Sequence, residues 1–227
     1  HRDLHLSLRR QRQMCIRDSI KPSQYTSLTT LLFAEAFKAL PDGLFQVVTG
    51  EAAAGKSLVE HKDTHMVAFT GSVPVGVSIA SKCGELMKRS LIENSGNDPF
   101  IVMPSAPMDI TARAAAFSAY MNCGQICVSA ERFFVHEKIH DEFVEKLIEE
   151  TKKIRVGNGL DKVDMGPIVS SKERDRYENV LHKALDEGAK AVEGGGRLSQ
   201  FNKGWFVAPT VPVSYTHLRA HETGRNL

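Results

Sequence analysis

Three short patterns in this chain combine residue types that could do chemistry. Gly50-Glu-Ala-Ala-Ala-Gly55-Lys56-Ser57 matches G-x-x-x-x-G-K-S, the pattern of a phosphate-cradling loop. Such a loop holds phosphate with successive backbone N–H groups, a lysine as a point charge and a hydroxyl on magnesium. An apolar run at 44–48 precedes it and a helical stretch follows, but the next strands offer no carboxylate for the metal. His136-Glu137-Lys138-Ile139-His140 has the letters of a zinc-peptidase H-E-x-x-H. That chemistry needs both imidazoles on one helix face, one turn apart, with the glutamate as general base. Here Phe133-Phe134-Val135 runs into His136 as a strand, and the helical period starts only near Ile139. The two rings therefore fall at a strand-to-helix corner, and solvated histidines are expected. His61 and His65 are also four apart but lack an evident third ligand, so no metal site is expected.

The third pattern is Tyr120-Met-Asn-Cys123-Gly124-Gln125-Ile126-Cys127-Val-Ser-Ala-Glu131, with Glu93-Asn94-Ser95-Gly96-Asn97-Asp98-Pro99 upstream. A thiol after Gly-Gln near a predicted helix terminus gains from backbone dipoles and N–H donors. Glu93 ends a strand at a Ser-Gly turn, a position that often aims a side chain into a crevice. A nucleophile and a carboxylate base are two parts of a covalent mechanism. These residues alone leave open the alternative that the cysteine is a small buried hydrophobe.

The elements that must position these groups alternate between strand-like and helix-like from Ile20 to Val211. Helices are predicted over 29–40, 74–83 and 109–121, on a face marked by Ile139, Phe143, Val144, Leu147 and Ile148, and from a Ser170/Glu173 capping box to about Gly188. Strands are predicted at 44–48, 66–70, 87–92, 100–103 and 132–135. This alternation points to an α/β protein with a largely parallel sheet.

The 227 residues are 42% hydrophobic and 25% charged, with 29 basic against 27 acidic side chains. That composition excludes collagen, a coiled-coil rod and a disordered tail, and the near-neutral charge argues against a nucleic-acid binder. No apolar run approaches the roughly 20 residues of a membrane span. Four cysteines in such a length suit reduced thiols and a cytoplasmic location better than a disulfide framework. Residues 1–19 and 213–227 read as translated adapter sequence or, alternatively, as disordered native tails. They carry seven of the basic and three of the acidic residues, leaving 22 bases against 24 acids, a net charge of −2, between them.

From Ile20 to Val211 the chain resembles the aldehyde dehydrogenase superfamily almost continuously. The resemblance rests on Lys21-Pro22-Ser23, Phe69-Thr70-Gly71-Ser72 with Gly76, the Glu93 segment, Gly124-Gln125-Ile126-Cys127 and Gly204-Trp205-Phe206-Val207-Ala208-Pro209-Thr210, in family order. It turns the phosphate loop and the zinc motif into coincidences. It implies an NAD- or NADP-dependent oxidation of an aldehyde to a carboxylic acid, with Cys127 as nucleophile and Glu93 activating water against a thioester. Lys21, Ser23 and Gln24 would lie at the adenosine ribose, and Gly71, Ser72 and Gly76 at the pyrophosphate and the helix beneath it. The implied fold is a Rossmann-like cofactor domain (20–94) followed by an α/β catalytic domain (95–212). The implied parent is a dimer or tetramer. A CoA-dependent acylating relative, a non-catalytic binding protein and a phosphate-loop nucleotidase are the rival readings.

Four departures from the family pattern matter. Gln24 stands where many NAD-preferring members carry a glutamate, so tolerance of a 2′-phosphate is expected. Asn94-Ser95 replaces the usual Leu-Gly, restricting the turn on which Glu93 moves. Cys123, four before Cys127, is either a bystander or a redox partner. The oxyanion-hole asparagine and the ribose-orienting glutamate, which the family carries before Lys21 and beyond Thr210, are not in this sequence. An internal fragment that is inactive by itself is the expectation.

Overall fold

A computed structural model describes residues 17–214. They form two compact units: one holds residues up to Phe69 together with Ser78–Ile92, the other Thr70–Val77 and the chain from Glu93 onward.

In the first unit, β1 (Asp18–Ile20) pairs in parallel with β2 (Phe45–Val47), Ile20 opposite Val47. The first strand thus begins at Asp18, within residues 1–19, whose composition reads as a tail. Between them the Ser23 hydroxyl accepts from the Tyr25 N–H and opens a 3-10 turn (Gln24–Thr26) that leads into α1 (Ser27–Ala34). A helix was expected over 29–40, but its last turn tightens to 3-10 at Glu35–Phe37. The tightening carries Phe37 onto Phe45, their rings stacked at 4.4 Å. α2 (Ala52–Glu60) follows, and Lys88 caps its end by donating to the carbonyls of Val59 (2.6 Å) and His61 (2.7 Å).

β3 (Met66–Gly71), α3 (Val73–Glu85) and β4 (Arg89–Asn94) follow in order, with β3 hydrogen-bonded to β4. The fourth strand starts two residues later than expected because the end of α3 takes up Met87. Its φ of 53° is left-handed, its N–H donates to Gly84 O, and the Lys88 N–H donates to Cys83 O. This is a Schellman stop, with methionine in the place glycine usually fills.

The second unit is built on β5 (Asp98–Val102) and β6 (Ala130–Val135), a parallel pair joined by α4 (Met108–Tyr120). Ala112, Ala115 and Ala116 are buried, and their small side chains let α4 lie close to α5 (His140–Lys152). Val102, Ala115, Ala116, Phe143, Leu147 and Val211 form the core. Phe143 and Leu147, one helical turn apart, are the inward face that the sequence period marks. α6 (Ser171–Asp186) opens where the capping box predicts, the Ser170 hydroxyl accepting from the Glu173 N–H at 3.3 Å. β7 (Lys190–Glu193), which the sequence does not announce, pairs antiparallel with β8 (Val211–Val213).

Strands and helices alternate as an α/β chain should, with the strands paired two by two. Among the described residues, no helix is long and apolar enough to cross a membrane.

Candidate active site

The two motif matches that could have carried other chemistry are dismantled by local backbone. A phosphate loop keeps its residues between the glycines outside the helix, so that their N–H groups converge. Here α2 already begins at Ala52, and Lys56 lies in mid-helix near Glu60 (4.0 Å). Gly50 is left-handed at φ 146°, and a Cβ there would lie 2.8 Å from the Ala54 Cβ, so it serves the tight start of the helix. In the histidine pair, His136 is extended and caps a 3-10 turn, its Nδ1 accepting from the Lys138 N–H. His140 begins α5, its Nδ1 2.9 Å from Asp141. No cluster of metal-ligating side chains exists among the described residues.

Cys127 sits in the turn between α4 and β6 and is exposed. The chain leaves α4 through Asn122 (φ 52°), Cys123 (φ 62°) and Gly124 (φ 69°), three successive left-handed residues. Left-handed backbone is unfavourable for side-chain-bearing residues, and hydrogen bonds hold it here. The Asn122 amide donates to Gln125 O (3.3 Å), while the Gln125 amide donates to Asn122 O (3.0 Å) and its Oε1 accepts from the Val169 N–H (2.9 Å). A Cβ on Gly124 would stand 3.0 Å from Ala119 O, so close approach adds to its need for glycine.

Cys123 is half-buried and donates to Gly166 O at 3.1 Å. Burial pushes its thiol up to about 11, the opposite of what a nucleophile needs. It is a free thiol, as are Cys83 and Cys127.

The other side of this loop is tied to Thr210. The Tyr120 hydroxyl donates to Thr210 O (2.9 Å), and the Tyr177 hydroxyl donates to Thr210 Oγ1 (2.7 Å). That oxygen also accepts from the Gly195 N–H (3.0 Å) and donates to Ala208 O (2.8 Å), which fills its hydrogen-bonding capacity. Burial pushes the Tyr120 phenol up to about 12 and raises Tyr177 as well. Both remain neutral donors at any ordinary pH.

One open cavity of the second unit brings Cys127 together with Gly71, Ser72, Asn94 and Ser95. Gly71 ends β3, and Gly76 N–H donates to Ser72 O as the first bond of α3. The amides of Val73 and Val75 therefore have no partner within the helix, which suits a negatively charged group. Gly76 is buried. Glu93 is exposed at the next-to-last position of β4 and does not line this cavity, although its two successors do. In the first unit, Lys21 donates to Pro22 O (2.7 Å) and Gly50 O (3.0 Å), its stem against Gly55. Ser23 caps the turn that begins with exposed Gln24.

Residues 19–220 match the model of the aldehyde dehydrogenase family, and the chain belongs to that family. Betaine aldehyde dehydrogenase of Brucella ovis is 41% identical over 201 residues, 86% of this chain and 41% of its own length. The solved 3,6-anhydro-L-galactose dehydrogenase in complex with NAP superposes with a TM-score of 0.83 at 37% identity, over 88% of this chain and 43% of that one. The NAD+ complex of Bacillus cereus aldehyde dehydrogenase gives 0.83 at 34% identity, over 88% and 41%. The chain thus spans about two fifths of the length of these relatives.

Proposed function

We propose that this chain carries the nucleophile, Cys127, and the base, Glu93, of an enzyme that oxidises an aldehyde to a carboxylic acid with NAD or NADP. The observation that carries the reading is the exposed Cys127 thiol opening on a cavity that Gly71 and Ser72, at the start of α3, also line. A carbonyl carbon attacked by the Cys127 sulfur becomes a thiohemiacetal, its oxygen within the class of positions a backbone N–H stabilises. Loss of hydride leaves a thioester on Cys127, and Glu93, by rotating its side chain, takes a proton from the water that hydrolyses it. The nicotinamide dinucleotide, when bound, supplies the hydride acceptor.

Gly71, Ser72 and the first amides of α3 would hold its pyrophosphate, and the Val73 and Val75 N–H groups, without a partner in the helix, fit that charge. Lys21, Ser23 and Gln24 would address the ribose of the adenosine. Gln24 carries no charge against a 2′-phosphate, so NADP is expected to be tolerated. Solved relatives hold NAP and NAD+.

Thiol labelling tests the reading without requiring turnover. Iodoacetamide should modify Cys127 well ahead of Cys123 and Cys83, as read by peptide mass spectrometry, and saturating NAD or NADP should change the Cys127 rate. A Cys127 rate indifferent to both dinucleotides, or preferential labelling of Cys123, would overturn it.

A further inference from the structure

Cys127 and the turn after Glu93 belong to different stretches of chain, and the ladder that should hold them in register is broken at their end. Ala130 faces Asp98 and Arg132 faces Pro99, with a slip of register between the two pairs. Pro99 has no N–H to give the ladder. Two oxygens at the same strand starts, Asp98 Oδ2 and Ser129 Oγ, are buried without a hydrogen-bond partner.

The Arg132 side chain spans this gap. Its Nε and Nη2 both donate to the carbonyl of Asn97, at 3.0 and 2.7 Å, across 35 residues of chain. The guanidinium is half-buried and lies over the Phe134 ring, 5.7 Å from its centroid. A forked, charge-assisted contact fixes direction as well as distance, which a lysine ammonium cannot reproduce. Asn94, Ser95, Asn97 and Arg132 line the same cavity as Cys127.

We propose that Arg132 is a positioning residue that sets the Glu93-bearing turn against the Cys127-bearing loop. The proposal rests on reading Cys127 and Glu93 as nucleophile and base. Arg132 touches neither the thiol nor a substrate in this role; it acts through the Asn97 carbonyl.

A double-mutant cycle on the whole 227-residue chain tests it. The measurement is the iodoacetamide rate at Cys127 between about pH 6 and 10, for wild type, Glu93→Gln, Arg132→Lys and the double variant. A carboxylate beside a thiol disfavours the thiolate, so Glu93→Gln should speed alkylation on the acidic side by about threefold or more. In the Arg132→Lys background that acceleration should vanish. An equal acceleration in both backgrounds would show Arg132 to be merely structural and overturn the proposal while leaving the Glu93–Cys127 pair intact. No acceleration in the wild-type background would overturn the pair itself, and the proposal with it. Should Arg132→Lys fail to fold, Phe134→Leu removes the ring beneath the guanidinium at an exposed site. It should reduce the Glu93→Gln effect, and an undiminished effect counts against the proposal in the same way.

Discussion

The two units of this chain are supported in different ways. From Glu93 onward, α4 and α5 close over β5 and β6, and Val102, Phe143 and Leu147 leave almost no surface to water. In the unit that carries Lys21 and Gln24, Val59 and Cys83 are the buried hydrophobic residues among those described, and Val59 keeps 8% of its surface exposed. Its apolar side chains meet instead in the edge and stacked contacts of Phe33, Phe37 and Phe45, while Leu28 and Leu32 remain exposed. A loop with three left-handed residues stores strain and persists only where the surroundings over-determine it. The tight core beneath α4 and the ties to Thr210 and Val169 supply that support to the Cys127 loop. Lys21, Ser23 and Gln24 rest on short-range hydrogen bonds around Ser23 and on the two carbonyls that hold Lys21.

Substitutions can sharpen or break this contrast. Phe143→Ala should cost about 3–5 kcal/mol in urea unfolding, against about 1–2 for Val59→Ala. Equal costs would remove the distinction between the units. Thr210→Val leaves the Tyr177 hydroxyl and the Gly195 N–H without their acceptor and should cost about 1–3 kcal/mol. The same variant should loosen the Cys127 loop, read as faster amide exchange at 121–126.

Asp164 concerns the loop that follows α5. Hydrogen bonds from the Arg155 side chain, then from its backbone N–H, hold the carboxyl at about 2, below its usual range. A carboxyl whose folded value is depressed contributes stability above its unfolded value of about 3.9, and loses it as pH falls toward 2. Asp164→Asn should therefore flatten the acid limb of a thermal-stability profile and change little near pH 2. The smallest effect belongs to Ser129→Ala. Its hydroxyl oxygen is buried without a partner, so the change should be neutral or stabilising by less than about 1 kcal/mol in the same unfolding assay.

Much of this molecule is legible in its sequence. The α5 face, the Ser170 cap and the strand-to-helix corner at His136 follow from periodicity and cap chemistry, which act over one or two helical turns. The residues that secure the site are not. Arg132 reads as one charge ahead of an apolar strand, and Tyr120 and Tyr177 as ordinary aromatic residues. Their partners lie 35, 90 and 33 positions away, beyond any local pattern. β7 escapes the sequence pattern for a related reason: four residues of mixed polarity between glycines become a strand only because β8 pairs with them.

The sequence by itself determined the family, through motifs in a fixed order, and it determined which thiol follows Gly-Gln. Those properties depend on residue identity and spacing along the chain. Tertiary structure alone decided that Lys56 would be spent inside a helix and that Cys123 would be shielded while Cys127 stayed open. It also decided that a guanidinium, rather than a ladder amide, would grip the Asn97 carbonyl. Burial and hydrogen-bond geometry are properties of chain segments brought together in space, and no short stretch of sequence contains them.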